Sequence, residues 1–187
     1  MSAVKPAFDP VTLEVLWTRL RSIVDEAAKV IVRTSFSTLS NEANDFSCVL
    51  TDVRGYSLAQ NTSSIPSFLA TLPATVRHFL NSIGAGNMKP GDIYITNDPW
   101  LGTGHLNDVC VVKPIFLDGR LVSFASTTAH VPDIGGRIRS AAAHELFEEG
   151  FHIPLTYLMR AGAVDETLIT LLKTNVRTPE QTVGDIF

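Results

Sequence analysis

Hydrophobic residues recur at Leu13, Leu16, Trp17, Leu20, Ile23, Val24, Ala27 and Ile31, while Arg19, Arg21, Glu26 and Lys29 fall mostly elsewhere on the wheel. That spacing predicts an amphipathic helix whose apolar face is core or interface. Asp9 followed by Pro10 supplies its cap and first residue, and it should run to about Thr34. Phe46 to Leu50 and Tyr56 to Ala59 read as two strands about the turn Asp52-Val53-Arg54-Gly55. From Ser67 the pattern returns to helical spacing (Phe68, Leu72, Val76, Phe79, Leu80, Ile83). Pro73 either kinks that helix or opens its second half, and Gly84 and Gly86 stop it. After the turn Lys89 to Asp92, Ile93 to Ile95 form a short strand. Val109 to Phe116 and Leu121 to Ala129 are apolar runs joined by Asp118-Gly119, a hairpin signal. Pro132 and Gly135-Gly136 make a loop of the next stretch, and a short helical turn follows, ending at Gly150.

Asp165 to Asn175 is a helix, and Thr178-Pro179 opens another that is still running, without a stop signal, at Phe187. The fold expected is α+β: antiparallel β-hairpins with packed helices, an incomplete domain truncated at its C-terminus, with the missing part completing or covering the sheet. Residues 1–187 are accordingly expected to be the N-terminal portion of a larger domain.

Composition narrows the function classes. The 187 residues are 45% hydrophobic and 18% charged, with a formal net charge of −4. Such a chain can bury a real core but offers no basic footprint for nucleic acid, and its Lys and Arg are too scattered for an anionic membrane. No apolar run approaches the roughly 20 residues of a membrane span, and the N-terminus lacks the apolar core of a signal peptide. Cys48 and Cys110 each sit in an apolar strand-like run, which suits buried thiols in a reducing compartment, and the expected location is the cytoplasm.

Chemistry collects between Asn97 and Gly136. Folding the hairpin about Asp118-Gly119 sets Asp108 roughly opposite Ala129 and His130. His105, three residues before Asp108 on an approach containing Gly102 and Gly104, can then turn toward the same point. His105, Asp108 and His130 become a ligand set for a divalent metal, Zn, Mn or Fe(II), with positions left for substrate or water. The same residues also suit a turn histidine, a strand cap and a buried histidine bonded to backbone. The polar loop Ser40 to Asp45 is either a substrate loop or a solvated connection. Gly135-Gly136 would let backbone approach a ligand, with Arg137 and Arg139 available to an anion. His144 and His152 flank Glu145, Glu148 and Glu149, a weaker candidate for a second metal site, whereas His78 reads as a surface residue. No GxSxG serine and no Cys/His pair offers a protein nucleophile.

Several blocks, in order, resemble the hydantoinase B/oxoprolinase family: DPVTLEVLWTRL, SNEANDFSCVLTD with GYSLAQN, PGDIYITNDPWLGTGHLNDVCVV, AHVPDIGG, ELFEEGFHIP and NVRTPEQTVGDIF. The resemblance implies an ATP-dependent amidohydrolase that opens a cyclic amide of the hydantoin or 5-oxoproline type. It implies a hetero-oligomer with a hydantoinase A-type subunit, which holds ATP and phosphorylates the substrate. Such proteins are much longer, so the fragment alone is expected to be inactive. In the carboxylase branch of the family a Mn site uses two histidines and an aspartate in the order His, Asp, His, which His105, Asp108 and His130 match. Asp98 and Asp133 are then expected as carboxylates orienting the imidazoles, the candidate catalytic residues beside the metal. Two alternatives stand beside this reading: a subunit of an ATP-dependent ketone carboxylase of the acetone or acetophenone type, and a non-catalytic scaffold whose first helix docks the ATPase.

Overall fold

The structure is a computed structural model that describes residues 8–137 and 143–187. Helix α1 spans Pro10–Thr34; the Asp9 carboxylate caps it, accepting from the backbone N–H of Val11 and Thr12. A single turn, α2 (Thr38–Asn41), then leads into β1 (Phe46–Thr51) and β2 (Ser57–Gln60). Helix α3 (Pro66–Ile83) starts with a proline at its first position and runs unbroken through Pro73. Strand β3 (Ile93–Thr96) precedes the long hairpin of β4 (Asp108–Leu117) and β5 (Arg120–His130). The chain continues through α4 (Leu146–Glu149), β6 (Thr156–Arg160), β7 (Ala163–Val164), α5 (Glu166–Asn175) and α6 (Pro179–Ile186).

All seven strands join one sheet in the order β2-β1-β5-β4-β3-β6-β7, and every pairing is antiparallel. The expected α+β class with antiparallel hairpins is what the structure has. The hairpin turn works because Asp118 (φ 50°) and Gly119 (φ 75°) both take left-handed backbone, the conformation that matches the twist of the strands it joins. The hairpin β6–β7 escapes sequence reading, since its turn residues, Ala161 and Gly162, carry no Asn-Gly or Asp-Gly signal. Both nonetheless have positive φ (48° and 87°). The Asp92 carboxylate accepts from Ala161 N–H, which helps hold this turn against the start of β3.

Side-chain alternation sends the sheet's two faces to different helices. Val76 and Phe79 of α3 pack on Tyr94, Val112 and Phe124, while Leu72 meets Val49 and Cys110. On the opposite face, Val24 and Ala28 of α1 cover Phe46, Cys48 and Ala59. Leu168, Ile169 and Leu172 of α5 cover Ile95, Val109 and Leu158. Leu72, Val76 and Phe79 are wholly buried, each contributing about 1.5–3 kcal/mol of transfer free energy. Only the second half of α1 joins this core; Val11, Leu13, Val15, Leu16, Trp17 and Ile23 remain exposed.

The loop Val131 to Gly136 packs on the chain itself. A Cβ on Gly135 would lie 2.7 Å from the carbonyl oxygen of Asn175, and one on Gly136 would collide with the backbone of Glu148 and Glu149. The glycine pair thus serves close backbone packing within the chain, where the sequence suggested approach to a ligand. Arg137 pairs with Glu148 at 3.5 Å, and Arg139 lies outside the described residues.

Candidate metal centre

The centre is built by register. Asp108, the first residue of β4, stands directly opposite His130, the last residue of β5. Both side chains rise from the face of the sheet that α3 covers, because Cys110 and Val112 follow Asp108 at alternate positions on that strand. His105 arrives from the preceding loop, whose last turn closes with the Asp108 N–H donating to the His105 carbonyl (3.2 Å).

The loop is fixed by polar contacts at its root. Asn97 Nδ2 donates to the carbonyls of Leu106 (2.7 Å) and Phe151 (2.9 Å), and Asn97 Oδ1 accepts from Ile153 N–H (2.6 Å). Glu149 Oε2 accepts from Leu106 N–H (3.0 Å). Gly102 allows the tight turn, since a Cβ there would sit 2.9 Å from the carbonyl oxygen of Asp98.

The three side chains converge. Asp108 is 4% exposed, and its two carboxylate oxygens face different imidazoles: Oδ1 lies 3.2 Å from His130 Nδ1 and Oδ2 lies 3.3 Å from His105 Nδ1. The rings are edge to face with centroids 4.9 Å apart. One ligand atom from each residue lies within 4.8 Å of the others. His105 Nδ1 is buried yet misaligned for a hydrogen bond, leaving it without a partner. An orphaned imidazole nitrogen beside a buried carboxylate and a second imidazole is costly unless a cation completes the set. The nitrogen-and-carboxylate chemistry suits Zn, Mn or Fe(II), so the residues present fit a divalent metal.

A further carboxylate, from the polar loop Ser40 to Asp45, stands beside them. Asp45 immediately precedes β1; extending the β1–β5 register by one residue from Phe46↔Ala129 places it opposite His130, whose N–H donates to its carbonyl (3.0 Å). Burial raises its carboxyl above the ordinary range, the charges of His130 and His105 pull it down, and Asp108 pushes it up. The signal was hidden because β1 pairs with β5, far along the chain, and no local spacing announces that.

The remaining candidates go elsewhere. Asp98 Oδ2 lies 3.1 Å from His152 Nε2, while its Oδ1 accepts from the N–H of Trp100 and Leu101. Asp98 therefore orients an imidazole, but that of His152. Asp133, 5% exposed, accepts from the backbone N–H of Gly135, Arg177 and Thr178 and from the Arg177 guanidinium. Burial would raise its carboxyl, but these donors outweigh it and hold it below the ordinary range. Neither carboxylate hydrogen-bonds His105 or His130. The acids around His144 form no second metal cluster among the described residues. Both cysteines are buried and unpaired; burial pushes the Cys48 thiol up to about 12 and Cys110 to about 11, which removes them as nucleophiles near neutral pH.

Comparison with known proteins settles the lineage. Residues 9–187 match the sequence profile of hydantoinase B/oxoprolinase. The chain belongs to that family. It is 30% identical over 184 residues to the B subunit of a putative D-/L-hydantoinase from Pseudomonas sp. strain NS671, covering 95% of this chain and 31% of that protein. It is 34% identical over 165 residues to a 5-oxoprolinase of Saccharomyces cerevisiae, covering 86% of this chain and 13% of that protein. The crystal structure of the ATP-dependent caprolactamase from Pseudomonas jessenii superposes with a TM-score of 0.85 at 31% identity, over 97% of this chain and 31% of that one. The chain thus spans about a third of the hydantoinase and caprolactamase chains it matches.

Proposed function

We propose that this chain is part of an ATP-dependent amidohydrolase that opens a cyclic amide of the hydantoin or 5-oxoproline type. It would do so with a divalent metal held by His105, Asp108 and His130, and with Asp45 as the adjoining carboxylate. The observation that carries the reading is the convergence of those three side chains, one of them with a buried, unpartnered imidazole nitrogen, in a member of this family. Relatives named for a hydantoinase, a 5-oxoprolinase and a caprolactamase support cyclic amides as the substrate class, since hydantoins, 5-oxoproline and caprolactam share a ring amide bond.

When bound, a divalent cation would supply Lewis acidity toward a poorly polarised amide oxygen and a lowered pKa for attacking water. The chain's own residues do the rest. Asp108, wedged between the imidazoles, fixes both rings. The Asn97 side chain anchors the root of the loop that delivers His105. Asp133 serves the site from a distance, as a positioning residue that clamps the loop following His130 onto the α5–α6 junction. No helix among the described residues is long and apolar enough to cross a membrane, and with two unpaired buried thiols we place the protein in the cytoplasm. ATP would be held on a hydantoinase A-type partner, as the naming of the hydantoinase relative for one of several subunits supports. The test is a pair of variants, His105→Ala and His130→Ala, in the full-length complex. Each is expected to lose metal and cyclic-amide turnover together; unchanged turnover would leave a scaffold role.

A further inference from the structure

The register that builds the metal centre continues across the sheet. Asp45 stands opposite His130 and His130 opposite Asp108, while Asp98 lies two residues past Thr96, the end of β3, whose partner on β4 is Cys110. Residues opposite one another in antiparallel strands point to the same face, about 5 Å apart from strand to strand. Asp45, His130 and Asp108 therefore form one row along the end of the sheet, and Asp98 follows β3 at that same end. His152 joins Asp98, with its Nε2 3.1 Å from Asp98 Oδ2.

The pair is built rather than incidental. The two Asp98 oxygens are divided: Oδ1 accepts from Trp100 and Leu101, and among the described residues Oδ2 has His152 as its hydrogen-bonding partner. His152 lies between Phe151 and Ile153, whose backbones are both bonded to the Asn97 side chain that also anchors the His105 loop. The imidazole is thus locked to the same frame as the metal ligands. Its side chain is 35% exposed and opens on a cleft of about 520 Å³ lined also by Thr156, Asp165 and Thr167. Its Nδ1 makes no hydrogen bond within the described structure, so one nitrogen is held and the other is offered.

We propose that His152 is the proton donor to the ring nitrogen released when the cyclic amide opens, with Asp98 as its positioning residue. This rests on the amidohydrolase reading above. In the step, an oxygen from water bonds to the carbonyl carbon, whose oxygen carries the phosphoryl group transferred from ATP, and the carbon–nitrogen bond breaks, its electron pair going to nitrogen; a second water then cleaves the acyl phosphate to carboxylate and phosphate. The attacking water gives up a proton to solvent. The nitrogen takes one from His152 Nδ1, and His152 regains its own from solvent through the cleft. The charged neighbours are Asp98, hydrogen-bonded to Nε2; Asp165, whose carboxylate accepts from Leu168 N–H; and Glu149, occupied by Leu106 N–H.

The experiment compares His152→Gln, Asp98→Asn and Asp98→Glu in the full-length complex with its ATPase partner, measuring metal content, kcat, KM and the pH profile. Asn keeps the oxygen that closes the turn at Trp100 and Leu101, so Asp98→Asn separates pairing from folding. Expected are unchanged metal content, KM within about twofold, and a kcat loss on the order of 100-fold for His152→Gln. The alkaline limb should vanish in His152→Gln, and Asp98→Glu should recover part of the rate lost in Asp98→Asn. A kcat within about threefold of the parent, or a loss equal at every pH and matched by loss of metal, would overturn the proton-donor role while leaving the triad reading intact. A parent complex that holds metal but opens no lactam or hydantoin would sink the hydrolase reading, and this proposal with it.

Discussion

At the scale of single residues, the site combines what local spacing reveals with what it hides. His105 and Asp108 were legible because three residues on a glycine-containing approach can share a focus, and His130 because a hairpin returns a strand to its partner. Asp45 was not, since it reaches the site through the pairing of β1 with β5, nor was His152, which long-range hydrogen bonds of Asn97 and Asp98 bring in. Metal affinity should follow that geometry. Asp108→Ala is expected to abolish stoichiometric metal binding, whereas Asp45→Ala should weaken it by about 10- to 100-fold, as for groups that support a metal site. Titration with a competing chelator reads both.

Asp133 belongs to stability. Its folded carboxyl lies below the unfolded value, so its contribution is fully present above the ordinary aspartate pKa of about 3.9 and is lost as pH falls through the lower folded value. Asp133→Ala leaves backbone donors of Gly135, Arg177 and Thr178 without their acceptor. The expected loss is on the order of 2–3 kcal/mol at neutral pH, narrowing as the parent is acidified below about pH 4. Denaturant melts at two pH values would show it; a deficit that does not shrink in acid contradicts the assignment.

At the scale of elements, most of the fold could be read from pattern and punctuation. The Asp9 cap, the proline opening α6, and Asp118-Gly119 each mark an element where the structure has one. The strands β6 and β7 were missed because their turn, Ala161-Gly162, bends through contacts with Asp92 and Gly91 and not through its own residue types. The Gly135 loop shows the opposite error, a glycine read as ligand-facing that in fact faces the carbonyl of Asn175. With φ 96° and that contact, Gly135→Ala should cost more than about 1 kcal/mol and lower the thermal midpoint. An alanine variant as stable as the parent would show that the loop can move away.

At the scale of the whole molecule, the sheet sorts its duties by face and by end. Helices α1, α5 and α6 cover one face, α3 covers the other, and the ionisable row lies along one end where β1, β5, β4 and β3 are adjacent. That strand order is what turns four separate stretches of chain into one site, and no reading of the chain in sequence order supplies it. The exposed apolar half of α1 stays outside this arrangement.

The proposed chemistry needs a metal at His105, Asp108 and His130, and elemental analysis of the dialysed full-length complex, parent beside His105→Ala and His130→Ala, tests it most directly. A stoichiometric divalent cation in the parent, absent from both variants together with ATP-dependent ring opening, is the predicted result. Variants that retain cation and turnover, or a parent that instead carboxylates a ketone with bicarbonate and opens no cyclic amide, would contradict it.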